Sequence, residues 1–100
     1  MIIVIARAEF ETEKIEALQP ALDAMMRATW EESGCLSYSM AVESREHGIC
    51  TIVERWESEA SLQEHFATPH MAAFNAAIMG HVRSVDARLY DVTGERALMI

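Results

Sequence analysis

The chain has 100 residues and a mass of 11.2 kDa, enough for one domain and a single hydrophobic core over residues 1–100. It is 51% hydrophobic and 24% charged, which is too apolar for intrinsic disorder. Its net charge is −8, and its eight basic residues are scattered, so the field repels phosphate backbones and anionic headgroups and argues against nucleic-acid or membrane partners.

Met1–Ala6 is apolar but far too short to span a bilayer, and Arg7 and Glu9 follow it at once, unlike a signal peptide. The expectation is a cytoplasmic protein in which Cys35 and Cys50 stay reduced and act as small buried hydrophobes.

Taken in chain order, Met1–Phe10 predicts a strand. Ile2, Val4, Ala6, Ala8 and Phe10 form one apolar face, and Ile3 and Ile5 make the start of the other face apolar too. Thr12 is placed to cap a helix with Glu13 and Glu16 in its first turn. Ile15, Leu18, Leu22, Met25 and Thr29 step by three and four, the stripe of an amphipathic helix. Pro20 interrupts that pattern and predicts a kink or a late start, and Gly34 marks the stop after Glu31-Glu32-Ser33.

Cys35–Glu43 alternates as a half-buried strand, Ser44–Gly48 is a turn, and Ile49–Glu57 is the second arm of a hairpin. Ser58 caps a short helix over Glu59–Phe66. Thr68 then caps a second one, with Pro69 at its first position, that runs to Met79 and stops at Gly80. This second helix is apolar almost all round, which predicts burial on both sides or contact with a ligand. Val82–Val92 is the last strand, and Ala97–Ile100 is an apolar tail.

The order β-α-β-β-α-α-β predicts an α+β sandwich of ferredoxin-like type, an antiparallel sheet with helices on one face. Its other face keeps apolar side chains, so a twofold partner packed sheet to sheet is the expected cover, giving a homodimer to which the tail adds contacts.

Among residues suited to chemistry, His65 and His70 flank the Thr68-Pro69 corner. An imidazole is the side chain best matched to taking a proton from a phenol or enol near neutral pH; the competing role for each is a cap or a partner for a buried carbonyl. No third residue stands at a ligand-like spacing, so no metal is expected. Trp56 is a candidate wall for an aromatic substrate or a large core residue. Glu54, between Ile52 and Trp56 on one face, calls for a partner such as Arg7 or Arg88. Met25, Met26, Met71 and Met79 with Phe66 and Phe74 are mostly core, with Met71 and Phe74 also suited to lining a pocket. Asn75 is the one amide in its helix and could orient a substrate oxygen. Phosphate-loop, dinucleotide, serine-hydrolase and zinc-protease motifs are absent.

The string Trp56-Glu57-Ser58 through Leu62, His65, Thr68-Pro69-His70-Met71 and Phe74 resembles the antibiotic biosynthesis monooxygenase family, most of all its small quinol-monooxygenase-like members. Glu31-Glu32-Ser33-Gly34-Cys35, Tyr38 and the apolar first strand fit as well. The resemblance implies a single domain of that type, a dimeric α/β-barrel, and oxygenation without flavin, haem or metal. The first strand lacks the Asn of the haem-degrading relatives, and His65 and Asn75 stand where their Trp and His would be, which argues against haem degradation.

The resulting expectation is a cofactor-independent monooxygenase acting on a quinol-like or polyphenolic small molecule with dioxygen. His65, or alternatively His70, would be the base, and Trp56, Met71, Phe74 and Asn75 would contact substrate. The alternatives are an isomerase using the same His pair and a non-catalytic dimer that binds a small ligand.

Overall fold

A computed structural model describes residues 1–100. It contains β1 (Ile2–Phe10), a 3₁₀ turn (Thr12–Lys14), α1 (Ile15–Trp30), β2 (Cys35–Ser44), β3 (Ile49–Trp56), α2 (Glu59–Phe66), α3 (Pro69–Ile78) and β4 (Val82–Asp91). The four strands form one antiparallel sheet in the order β2-β3-β1-β4, the ferredoxin-like arrangement that the element order predicts.

Period-two alternation decides what each strand buries. Ile2, Ala6, Ala8 and Phe10 of β1, Tyr38 and Met40 of β2, and Cys50, Ile52 and Trp56 of β3 point into the core. There they meet Ile15, Leu18, Leu22 and Met25 of α1 with Leu62 and Phe74 from the later helices. The opposite face carries Ile5 and Val53, 43% and 40% exposed, beside the Arg7–Glu43 and Arg88–Asp86 ion pairs.

Several local expectations change. Thr12 does not cap α1: it lies inside the 3₁₀ turn, with Glu11 before it and no side-chain cap. Pro20 falls in the second turn of α1, and the helix runs through it. Helix α3 is not buried on both sides. It packs chiefly on α1 and buries Phe74 alone. Phe66, at the end of α2, and Met79, just past α3, both read as mostly core, are 50% and 76% exposed. Because α3 does not reach over β4, that strand's core-side residues Val85 and Leu89 are also exposed. The caps of the later helices match the sequence reading: Ser58 Oγ accepts from Ser61 N, and Thr68 Oγ1 accepts from Met71 N, each at 3.2 Å.

Candidate active site

The site begins with a turn. Residues 31–34 join α1 to β2, and Glu57 N donates to Gly34 O at 2.9 Å, which ties the turn to the end of β3. A side chain at Gly34 would sit 2.1 Å from Ser61 Oγ, so only glycine lets the turn lie this close to the first turn of α2. That close approach brings Glu32 against the far end of α2.

His65, in the last turn of α2, is 1% exposed. Its Nδ1 is 2.6 Å from Glu32 Oε2. His70, in the first turn of α3, places Nε2 2.7 Å from the same oxygen. An ionised carboxylate only accepts hydrogen bonds, so with Glu32 ionised each neutral ring carries its proton on the facing nitrogen. The basic lone pairs are then on His65 Nε2 and His70 Nδ1. The two rings are 5.8 Å apart between centroids.

A buried aromatic layer backs the pair. The His65 ring lies 4.9 Å from that of Trp56 and 5.4 Å from that of Tyr38, between centroids. Trp56 is fully buried, so it shapes the site from behind and does not present a wall to substrate. Its Nε1 donates to Glu54 Oε1 at 2.9 Å. Glu54 is 8% exposed and pairs with neither Arg7 nor Arg88: those arginines sit on the opposite face, where register sets Arg7 across from Thr51 and Arg88 across from Ile5. Burial, above all, raises the Glu54 carboxyl above the ordinary carboxylate range, opposed by the Trp56 hydrogen bond and the nearby His65. Burial together with the negative charge of Glu54 pushes the Tyr38 phenol far up, so it stays neutral.

His70 also borders a cavity of about 110 Å³ between α1 and α3, lined besides by Ala21, Ala24, Met25, Ala73 and Phe74. Of the expected substrate contacts, Phe74 therefore faces this cavity. Met71 is half-buried against the core cluster, and Asn75 is exposed on α3 outside the cavity lining. A hollow of about 110 Å³ is well below the ~300–1,000 Å³ of typical ligand pockets and nearer the ~150 Å³ that admits a single benzene ring. Glu32 is the residue that sequence reasoning missed. Its oxygen and the two imidazole nitrogens lie within 4.8 Å of one another, which supplies the third ligand the spacing did not reveal and makes the cluster able to hold a metal ion.

The fold defines a class, and comparison with known proteins agrees. The family model for antibiotic biosynthesis monooxygenases matches residues 1–77, and the chain belongs to that family. Rv0793 of Mycobacterium tuberculosis, which carries a provisional monooxygenase name, is 36% identical over 77 residues, spanning 77% of this chain and 75% of that protein. YgiN of Escherichia coli (strain K12), provisionally named a quinol monooxygenase, is 33% identical over 67 residues; the match spans 59% of this chain and 64% of YgiN. The solved structure of Rv0793 superposes with a TM-score of 0.83 at 31% identity, covering 96% of this chain and 98% of that one. A crystal structure described as an antibiotic biosynthesis monooxygenase gives 0.85 at 28% identity, covering 94% of this chain and all of that one. No helix is long and apolar enough to cross a membrane.

Proposed function

We propose that the chain is a cofactor-independent monooxygenase that oxidises a quinol-like or polyphenolic small molecule with dioxygen. The observation that carries this reading is the shared carboxylate: Glu32 holds His65 and His70 through one oxygen, and His70 borders an apolar cavity. The family membership and the name of YgiN support it at the level of class.

The geometry favours His70 over His65 as the base. His70 keeps 23% of its side chain exposed and touches the cavity, whereas His65 is sealed against Trp56 and Tyr38. In this reading a phenolic hydroxyl gives its proton to His70 Nδ1, and Glu32 stabilises the imidazolium that forms. The substrate anion then supplies all four electrons that dioxygen takes up: one oxygen atom enters the ring, the other leaves as water, and a hydroquinone ends as a hydroxyquinone. The protein contributes proton transfer, positioning and exclusion of water by Met25, Phe74 and the alanines. The small cavity takes one ring, and the remainder of a larger substrate lies across its mouth. The partner expected to cover the bare sheet face is a second copy of the chain.

The test is turnover of a hydroquinone panel by metal-free protein under isotopically labelled dioxygen. One labelled atom per product molecule is expected, with no turnover under strict anaerobiosis. Equal rates with and without dioxygen would replace this reading by proton-transfer isomerisation on the same His pair.

A further inference from the structure

We infer that Glu32, His65 and His70 also form a binding site for a divalent first-row transition metal of the zinc type. This goes beyond the proposed oxygenation and does not rest on it.

Three donor atoms converge at this turn. A carboxylate with two donors can spread them over its two oxygens, but here both rings meet Oε2, at 2.6 and 2.7 Å, and Oε1 has no partner. Two imidazole nitrogens and one carboxylate oxygen all within 4.8 Å are the donor set and count of a three-ligand zinc site with an open fourth position. In such a site neighbouring donors stand roughly 3.3 Å apart, given metal–ligand distances of about 2.0–2.1 Å. The two contacts to Glu32 therefore need to open by about 0.6–0.7 Å, with the two ring nitrogens, within 4.8 Å of each other, coming to the same spacing, a motion available to side chains around a turn.

The supporting shell is partly in place. His65 packs at tilted ring angles against Trp56 and Tyr38 and is 1% exposed, so its ring is held by packing before any ion arrives. Two imidazoles with a carboxylate suit zinc, cobalt(II) or nickel(II) better than magnesium or calcium, which prefer all-oxygen sites. A bound ion takes the two ring nitrogens that now face Glu32, so each neutral ring carries its proton on its other nitrogen instead, and loading the site displaces the hydrogen bonds that would back His70 as a base.

The experiment uses chelator-treated, metal-free protein titrated with cobalt(II) and, separately, zinc, read by visible absorption and by calorimetry. The expected result is one equivalent bound per chain, with the visible bands of four- or five-coordinate cobalt(II) and displacement of cobalt by zinc. Glu32→Gln and His70→Ala each remove a direct ligand and should weaken binding at least as much as the about 10–100-fold that losing an outer partner costs. Circular dichroism confirms that each variant is folded. His81→Ala, at the separate Glu11–His81 pair, should bind as the parent does. Absence of the cobalt bands, or bands unchanged in folded Glu32→Gln and His70→Ala, would overturn the site. Oxygen uptake by the metal-free protein is measured separately, so such a failure leaves the monooxygenase reading intact.

Discussion

Glu54 and Trp56 lie two residues apart on β3, and the indole Nε1 donates to the carboxyl Oε1 at 2.9 Å inside the core, with no cation paired to the acid. An acid raised by burial binds its proton more tightly folded than unfolded. Its contribution is therefore most favourable below the ordinary Glu range, near ~4.3, and is lost as pH rises from there through the raised folded value. Glu54→Gln keeps an oxygen for Trp56 and removes this titration. Denaturant unfolding across pH should show the variant gaining on the parent as pH climbs through that window, with the difference flat at lower pH. A difference independent of pH would contradict the assignment.

Tyr38 is buried beside the same carboxyl, and its phenol is pushed far above the usual tyrosine range. In a Tyr90→Phe background, which leaves Tyr38 as the only tyrosine, alkaline absorbance titration should give a tyrosinate signal only together with loss of the near-ultraviolet dichroism of the fold. A reversible signal in the folded protein would show that the ring is less sealed than the structure has it.

The turn that carries Glu32 depends on Gly34. An added methyl group would lie 2.1 Å from Ser61 Oγ and 2.4 Å from Ser61 Cβ, but 3.6 Å from Ser61 Cα. Gly34→Ala should cost about 1–3 kcal/mol of stability, the usual range for overpacking. Ser61→Gly removes both clashing atoms and leaves the backbone N–H that Ser58 caps. The double variant should therefore be more stable than the sum of the single changes allows, read from urea midpoints as a coupling energy. Strict additivity would remove the close approach as the reason for glycine.

Much of this architecture is legible in the sequence because local chemistry specifies it. Ser58 and Thr68-Pro69 announce the two later helices, and both hydroxyls do accept the expected backbone bonds. Alternation in β1 sorts Ile2, Ala6 and Ala8 from Ile5 and Arg7. The same parity rules out Arg7 as a partner for Glu54, since Arg7 stands opposite Thr51 and shares its face.

The heart of the candidate site is not local. Glu32 lies 33 positions from His65 and 38 from His70, in a Glu-Glu-Ser-Gly run that reads as a helix stop and as part of the family resemblance, with no role for the carboxylate legible in it. Docking of that turn onto α2 creates the cluster, and no periodic pattern encodes it. Asn75 shows the opposite case: the lone amide in an apolar run looks functional, yet it faces outward because α3 packs on one side only.

The central claim is that His70, backed by Glu32, accepts the substrate proton at the cavity. It is tested most directly by oxygen uptake of metal-free parent and His70→Ala proteins on one hydroquinone that the parent turns over. The variant is expected to be slower by about 10²–10⁴-fold, the usual worth of positioned proton transfer, with its fold intact by circular dichroism. A His70→Ala protein that consumes oxygen within a few-fold of the parent would contradict it.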